Sequence, residues 1–347
     1  MEREPDTHLS LDGAVPARAV VRRPRAVRRI LRWNSLANGG IAVDFSDDRA
    51  DRLRPNSPTP RSFMNPLQLT AKFYRILMTD GVGGVRARLR RRWRLATFHP
   101  HVIEKQYGEH RFRFYIGTKE GQEWYGRFVD ARLYKPMGPE LAWFAEHVGA
   151  GDIVADVGAH HGYFTTLFAH WAGPQGRIFS FECLPQNAAI AARNVSLNGL
   201  SNVEIVECAV GAQRGHVVIA DHSGGILFDP TISEKRITVG MTALDEFFVD
   251  THPTMLKIDV EGYECEVLKG AKVCLARRPK IAIELHCFKF SDREAEVSHI
   301  VDLLPRDGYR YEVAWEAGDG LAPCAMDTAL VQGLANHYNP HLYGVPV

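Results

Sequence analysis

The residues best suited to hold a ligand lie in one turn near the middle of the chain. Asp156 comes late in a short apolar run that starts at Ile153, and two glycines, Gly158 and Gly162, follow four residues apart. After Gly162 the apolar residues take helical spacing. The pattern predicts a strand, a tight turn and a helix start, with a turn that a ligand can approach closely. The candidate ligand-binding residues here are Asp156, Gly158, Ala159 and Gly162.

The spacing of the glycines indicates the class of ligand. Dinucleotides and S-adenosylmethionine (SAM) are the two common ligands of such a turn. A dinucleotide pyrophosphate favours G-x-G-x-x-G, because several backbone N–H groups must close on its phosphates. Here Gly158 and Gly162 stand without that triple. SAM has no phosphate and presents a carboxylate, an ammonium and a sulfonium. The turn therefore favours SAM, with Asp156 close to the ammonium.

Acidic and small residues follow the next two predicted strands. Glu182 ends the run Ile178-Phe-Ser-Phe-Glu, twenty residues after Gly162. A carboxylate there suits both hydroxyls of a ribose, through charge-assisted hydrogen bonds worth roughly 1.5–3 kcal/mol each. This spacing alone fits NAD as well as SAM. After the third strand, Cys208 and Ala209 are candidates to line the adenine, with core packing as the alternative for Cys208.

These residues require a sheet that brings several strand ends together. From residue 151 onwards strand and helix patterns alternate, which is typical of an α/β fold with a mainly parallel sheet and helices on both faces. Such sheets bind ligands at the carboxyl ends of their strands. The predicted strands are 153–157, 177–182, 203–208, 217–220, 255–259, 281–284, 309–315 and 328–332. The predicted helices are 163–171, 185–197, 242–248, 264–275 and 293–304.

Several short motifs together resemble one known family. They are Asp156-Val-Gly-Ala, Phe181-Glu-x-x-Pro185 and, most specifically, Lys257-Ile-Asp-Val-Glu-Gly. From about residue 152 to 315 the chain resembles the FkbM family of SAM-dependent methyltransferases. The resemblance implies a Rossmann-like class I methyltransferase fold with a seven-stranded sheet, SAM as cofactor, and O-methylation of sugars or secondary metabolites. The family usually carries Asn where this chain has His160.

Asp259, Glu284 and His286 are the candidate catalytic residues, because they lie at or just beyond the ends of two predicted strands. A hydroxyl is a poor nucleophile until its proton leaves, so a base or a metal ion must lie beside the sulfonium. In one arrangement the carboxylates position the acceptor, and His286 or a carboxylate takes the proton. In the other, Asp259 and Glu284, with water or His286, hold Mg²⁺. We favour the metal-free arrangement. Lys257 needs a partner if buried, and Asp245 or Glu284 is expected.

The N-terminal part of the chain differs in charge from the rest. Residues 1–100 contain 20 Lys and Arg against 9 Asp and Glu, although the whole chain has a net charge of +1. Residues 1–62 are rich in proline and lack periodicity, which predicts a disordered basic arm. Residues 63–98 are predicted to form a basic amphipathic helical segment, 99–150 a cap that leads into the sheet, and 151–347 the methyltransferase domain.

Composition also gives an expected location. The chain has no apolar run near the roughly 20 residues that a membrane span requires, and its first residues lack the apolar core of a signal peptide. Its six cysteines form no C-x-x-C pair and are expected to be free thiols in a reducing compartment. We therefore expect a cytoplasmic protein. Its basic residues 66–94 suit an acidic membrane surface or a homodimer partner better than nucleic acid.

Two other functions fit the same sequence. The basic arm could guide an RNA-directed methyltransferase, whose binding would weaken steeply with salt. A SAM-binding scaffold protein with weak chemistry is the second alternative, and the intact acids Asp156, Glu182, Asp259 and Glu284 argue against it. The leading hypothesis is a methyltransferase acting on a hydroxyl of a small-molecule or glycan acceptor.

Overall fold

A computed structural model describes residues 20–22, 86, 90, 93, 95–125, 138–220, 236–316 and 318–347. The chain divides into two units, residues 1–27 with 100–347 and residues 28–99. In the second unit the described residues 86, 90, 93, 95 and 96 are helical. Most of the predicted basic arm and of residues 66–94 lies outside the described residues. Across the described ranges, no helix combines the length and apolarity that crossing a bilayer requires.

The first unit contains short helices and strands in alternation. The N-terminal part comprises β1 Val20–Arg22, β2 His101–Tyr107, β3 His110–Ile116, α1 Lys119–Trp124, α2 Gly138–His147, β4 Ile153–Val157, α3 Tyr163–Ala172, β5 Arg177–Phe181, α4 Pro185–Leu197 and β6 Val203–Val206. The remainder comprises β7 Ala209–Val210, β8 Gly215–Ala220, β9 Arg236–Thr242, α5 Leu244–Phe247, β10 Met255–Ile258, α6 Glu264–Lys269, α7 Lys272–Ala276, β11 Lys280–Glu284, a 3₁₀ turn Cys287–Lys289, α8 Arg293–Leu303, β12 Tyr309–Ala314, β13 Ala322–Cys324, α9 Thr328–Asn336 and β14 His341–Pro346.

One nine-stranded sheet, in the order β1-β6-β5-β4-β10-β11-β14-β12-β13, organises this unit. The pairs from β1 to β11 are parallel, and β14 runs antiparallel to both β11 and β12. All four residues of β10 are buried, as expected for a strand covered on both faces. The arrangement confirms the predicted Rossmann-like, mainly parallel sheet, which has nine strands instead of the predicted seven. The strand order reverses beside β4, so the carboxyl ends of β4 and β10 border the expected ligand crevice.

The predicted strand at 328–332 is wrong, because this segment begins helix α9. The Asp327 side chain accepts a hydrogen bond from Leu330 N at 2.9 Å and so caps the helix. Buried Leu330, Val331 and Leu334 recur at helical spacing. The strand that the prediction missed is β14, which contains Gly344 and Pro346 and is disfavoured by local propensity. Its pairing with β11 and β12 outweighs that preference.

The predicted helix 264–275 is broken into α6 and α7. A Cβ added at Gly270 would come within 2.2 Å of Gly211 O, so two backbone segments approach each other too closely for a continuous, substituted helix. The predicted helix 242–248 is shorter than expected because β9, which the sequence analysis missed, extends to Thr242. Strands β2 and β13 were also missed.

The β2–β3 hairpin packs on helix α4. Arg113 N donates to Asn198 Oδ1 at 2.9 Å and Tyr115 N donates to Asn194 Oδ1 at 2.6 Å, so two asparagine side chains of one helical face anchor strand β3. Arg193 stacks on the Tyr115 ring at 3.6 Å. The hairpin thereby holds the following helix α1 beside the turn after β4.

Candidate active site

The turn after β4 is fixed by its backbone. Gly158 has a φ of +86°, and a Cβ there would lie 1.7 Å from Asp259 O, so no side chain fits. Gly158 N and Ala159 N both donate to Phe181 O, at 3.0 and 2.9 Å. Gly162, with a φ of +73°, begins helix α3 without a side-chain cap. The turn is thus held between the ends of β5 and β10 in a shape that glycine alone permits.

Asp156 is fully buried beneath this turn. Its Oδ2 accepts a hydrogen bond from Thr165 Oγ1 at 2.5 Å. Its Oδ1 lies 3.6 Å from Lys257 Nζ and has no hydrogen-bond partner among the described residues. Burial raises the pKa of Asp156, and Lys257 and Thr165 oppose that shift. A buried carboxylate oxygen without a donor is suited to accept one from a ligand ammonium or from a bridging water.

Glu182 is held by two backbone amides just beyond the end of β5. His160 N donates to Oε2 at 2.8 Å and Leu184 N donates to Oε1 at 2.9 Å. Burial raises the pKa of Glu182 to about 7 despite these bonds. Each carboxylate oxygen has further acceptor capacity. Glu182 therefore presents an oriented acceptor pair, as the predicted contact with ribose hydroxyls requires.

The two residues predicted to line the adenine lie beyond β6 and are buried. Cys208 belongs to the main hydrophobic core together with Phe181 and Leu244. Ala209 packs in a smaller cluster with Leu184. Their contact with an adenine remains a prediction. Like Cys208, all the other cysteines are free thiols, as expected.

His160 adopts a left-handed backbone conformation, with a φ of +51°. Asn and His are both enriched in that region among non-glycine residues, so the replacement of the usual Asn preserves the turn. The His160 ring stacks on His161 at 3.9 Å between centroids and meets Trp124 edge-on at 5.7 Å. His161 is fully buried, and burial lowers its pKa to about 2, so its ring is neutral.

Lys257 connects the cofactor side of the site with the ends of β10 and β11. Its Nζ lies 3.2 Å from Asp259 Oδ2 and 3.6 Å from Asp156 Oδ1. Burial alone would lower the pKa of Lys257, but these carboxylates raise it overall, so the ammonium is retained. The predicted partners were wrong. Asp245 instead accepts hydrogen bonds from Val273 N and Cys274 N, and no ion pair joins Glu284 to Lys257 in the described structure.

Asp259, Glu284 and His286 come together at the carboxyl edge of the sheet. One ligand atom from each lies within 4.8 Å of the others. The Nε2 atom of His286 is 3.9 Å from Asp259 Oδ1, 3.8 Å from Glu284 Oε1 and 3.5 Å from Glu261 Oε2. These distances exceed those of ordinary hydrogen bonds. The predicted catalytic residues therefore form one cluster.

The Glu264 side chain fixes the orientation of the His286 ring. Its side chain is fully buried, and Oε1 accepts hydrogen bonds from His286 Nδ1 at 2.7 Å and from Gly262 N at 2.9 Å. Burial lowers the pKa of His286, yet Glu264, Glu284 and Glu261 raise it to about 10 overall. In the ion-free cluster the imidazole is therefore protonated at neutral pH. Burial and Asp259 raise the pKa of Glu284 to about 7, so Glu284 is the better proton acceptor.

The sequence analysis missed four residues on the far side of Glu284. Asn339 Nδ2 donates to Glu284 Oε1. His341 Nε2 lies 3.8 Å from the same oxygen, and His341 Nδ1 lies 3.8 Å from Glu140 Oε1. Burial raises the pKa of Glu140 to about 7. Glu140, His341 and Tyr343 line part of a small cavity that reaches Asp259. Local propensity offered little signal for His341, because the strand that it begins, β14, contains Gly344 and Pro346 and was missed.

The chain matches known methyltransferases in sequence. Residues 156–311 match the profile of the methyltransferase FkbM domain. Methyltransferase sdnD of Sordaria araneosa is 25% identical over 178 residues, which cover 40% of this chain and 67% of that protein.

Two solved structures are similar to the chain at low sequence identity. A putative rRNA-methylase from Clostridium thermocellum is 13% identical, with 61% of this chain and 97% of that chain covered and a TM-score of 0.40. A SAM-dependent O-methyltransferase from Thermotoga maritima is 16% identical, with 71% and 78% covered and a TM-score of 0.37.

Proposed function

Residues 156–311 form a SAM-dependent methyltransferase domain of the FkbM family, and on that premise we propose that the protein methylates a hydroxyl oxygen of a sugar, glycan precursor or secondary metabolite. The observation that carries this proposal is the cluster of Asp259, Glu284 and His286, which Lys257 joins to Asp156. A hydroxyl acceptor needs proton removal next to the methyl donor, and this cluster supplies charged groups for it.

The residues around the turn fit SAM. Asp156 offers an unpartnered, buried carboxylate oxygen towards an ammonium, within the described structure. A Cβ at Gly158 would lie 1.7 Å from Asp259 O, so glycine lets the turn pack directly against the end of β10. Glu182 presents its two oriented oxygens to ribose hydroxyls. Bound SAM supplies an electrophilic methyl group on a sulfonium, which the acceptor oxygen attacks.

Two routes for removing the hydroxyl proton follow from the cluster. In the ion-free cluster, Glu284 accepts the proton, because its pKa of about 7 allows the carboxylate form near neutral pH. His286, already protonated, then acts as a hydrogen-bond donor and a positive charge beside the developing alkoxide. In the second route Asp259 and Glu284 would hold a divalent cation, with Mg²⁺ as the ion considered from the sequence, and the cation would lower the pKa of a bound hydroxyl. Loss of activity in EDTA that Mg²⁺ restores would favour the second route.

Two experiments test the proposed function. Calorimetric titration with SAM should show binding to the wild type and a large loss of affinity in Glu182→Ala. Absence of SAM binding to the wild type would refute the proposal. Incubation with methyl-labelled SAM and fractionated cell extract should then label a hydroxyl-bearing small molecule, lipid or glycan. Label in RNA alone would favour the RNA-directed alternative.

A further inference from the structure

We propose that His286, Asp259 and Glu284 bind a divalent transition-metal ion of the Mn²⁺ or Zn²⁺ class rather than Mg²⁺. The three side chains leave the carboxyl edge of the sheet from adjoining segments, β10 and β11, and their ligand atoms lie within 4.8 Å of one another. Ligands about 2.0–2.2 Å from a common ion would be roughly 3–3.6 Å apart. A small side-chain movement is therefore enough to close this set around an ion.

His286 is oriented as a metal-binding histidine is. Its Nδ1–H donates to Glu264, whose carboxylate is fully buried, so the hydrogen bond fixes both the tautomer and the plane of the ring. Nε2 is left to face Asp259 and Glu284. A carboxylate that holds the second nitrogen of a histidine is the usual support of a metal ligand, and it also increases the basicity of the ligating nitrogen.

The carboxylate oxygens around Nε2 are not all paired with positive charges, so a cation can bind to them. Lys257 pairs with Asp259 Oδ2, so Oδ1 remains directed towards His286. Glu261 is paired with Lys289 at the exposed side. The Nε2-to-oxygen distances of 3.8 and 3.9 Å are too long for the groups to satisfy one another by hydrogen bonds. An ion between them would supply the missing contacts.

His341 is a second, independent indication of a ligand. Its side chain is 4% exposed, and Nε2 has no hydrogen-bond partner in the part of the chain that the structure describes. This nitrogen lies 3.8 Å from Glu284 Oε1, the same oxygen that His286 Nε2 faces. A buried, unpartnered ring nitrogen is costly. It can be satisfied when an ion draws Glu284 and the ring together, either as a fourth ligand or as a donor to the coordinated carboxylate.

The donor set indicates the class of ion. Mg²⁺ prefers oxygen ligands in nearly ideal octahedral geometry. One imidazole nitrogen with two carboxylates instead suits the borderline divalent ions, and a second imidazole lies close by. Ion binding itself does not depend on the acceptor. The use of the ion to lower the pKa of an acceptor hydroxyl rests on the proposed function.

Manganese binding to the full chain tests the proposal directly. We expect EDTA-treated, desalted wild type to bind one Mn²⁺ per chain, measured by the loss of the EPR signal of free Mn²⁺. Mg²⁺ should compete only at a concentration at least about tenfold higher. His286→Asn should abolish this binding, and Glu264→Gln should weaken it by about 10–100-fold. His299→Asn, at an exposed position on α8, is the control and should bind like the wild type.

SAM calorimetry on each variant separates the possible outcomes. Retained SAM affinity shows that a variant is folded and that the proposed cofactor site is intact. The metal proposal is overturned if the wild type binds SAM but no stoichiometric Mn²⁺, or if His286→Asn binds Mn²⁺ as tightly as the wild type. If His286→Asn fails to fold, Glu264→Gln and Glu284→Gln decide, and unchanged Mn²⁺ affinity in both would contradict the proposal. Failure to bind SAM would instead count against the proposed function.

Discussion

The cofactor side and the acceptor side of this site are built in different ways. Around Asp156 and Glu182, backbone amides and a hydroxyl hold the carboxylates at 2.5–2.9 Å, and a closely packed glycine shapes the turn. Around His286 Nε2, by contrast, three carboxylates lie 3.5–3.9 Å away. The first region is preorganised by short hydrogen bonds. The second carries an excess of carboxylates, whose negative charge a substrate, a proton or a cation must balance. The cofactor site therefore depends on backbone shape, and the acceptor site depends on charge.

The largest effect is expected from removing one charge on the acceptor side. Glu284→Gln keeps the shape of the side chain but can neither accept a proton nor ligate a cation strongly. We expect kcat to fall by about 10²–10⁴-fold, while the Kd for SAM changes by less than about twofold. Methyl transfer to the labelled extract fraction and calorimetry measure the two quantities. Glu294→Gln, at an exposed position on α8, should leave both unchanged. A parallel loss of SAM affinity in Glu284→Gln would show that the two sides are not separate.

A change of backbone shape should instead lower the affinity for SAM. Gly158→Ala puts a Cβ where Asp259 O lies 1.7 Å away, at a φ of +86° that alanine rarely adopts. We expect SAM affinity to fall by about 100-fold or more, because a displacement of about 1 Å at the turn is enough for such a loss. Gly149→Ala is the matched control, since a Cβ there meets nothing within 4 Å. Wild-type affinity in Gly158→Ala would mean that the turn tolerates a side chain and does not shape the site.

The sequence located the residues around the turn after β4 more completely than the neighbours of Glu284, for a physical reason. Asp156, Gly158 and Glu182 lie in short segments whose local sequence pattern indicates a strand, a turn and the end of the next strand. Asp259 and Glu284 were found in the same way. The contacts of Glu284 with His341, by contrast, depend on an antiparallel strand inserted beside β11. Strand order is set by packing across the sheet, and no local pattern encodes it.

The partners of Lys257 were mispredicted for the same reason. The residues near it in sequence suggested Asp245, but the register of β10 beside β4 places Lys257 opposite Asp156. Helix α2 likewise brings Glu140 to the cavity from more than a hundred residues earlier in the chain. The sequence thus predicts site residues that a local pattern marks. It misses contacts between residues that are distant in the chain and that the sheet brings together.

The pH dependence of SAM binding should distinguish Glu182 from Glu284, two of the carboxylates whose pKa values are raised. Burial raises the pKa of Glu182 to about 7, and hydroxyl donors favour its ionised form. At a pH below that pKa, Glu182 must therefore lose a proton before SAM binds. We expect the Kd for SAM to be constant above pH 7 and to rise by up to about tenfold per pH unit below it. Calorimetry between pH 5 and 8 measures this profile.

Two variants assign this pH dependence to one residue. Glu182→Gln should bind SAM weakly at every pH, with a flat profile. Glu284→Gln should retain the wild-type slope, because Glu284, whose pKa is also about 7, lies on the acceptor side. A flat profile in Glu284→Gln would assign the titration to the acceptor side and contradict the role of Glu182.

The smallest expected effect concerns the hydroxyl that holds Asp156. Thr165 Oγ1 donates to Asp156 Oδ2 at 2.5 Å, whereas Thr166 Oγ1 donates to the backbone oxygen of Gly162 at 2.7 Å. Both threonines are fully buried, so Thr→Val at each position removes one buried hydroxyl, and at Thr165 it also removes a 2.8 Å hydrogen bond with Ser180 Oγ. Because bonds to charged groups are worth more, Thr165→Val should lower the free energy of unfolding by about 1.5–3 kcal/mol and Thr166→Val by about 0.5–1.5 kcal/mol. Chemical denaturation measures both values. Equal losses would indicate that Asp156 is neutral in the folded protein, a state that its burial favours. Asp156 would then become negatively charged only when a cationic ligand binds.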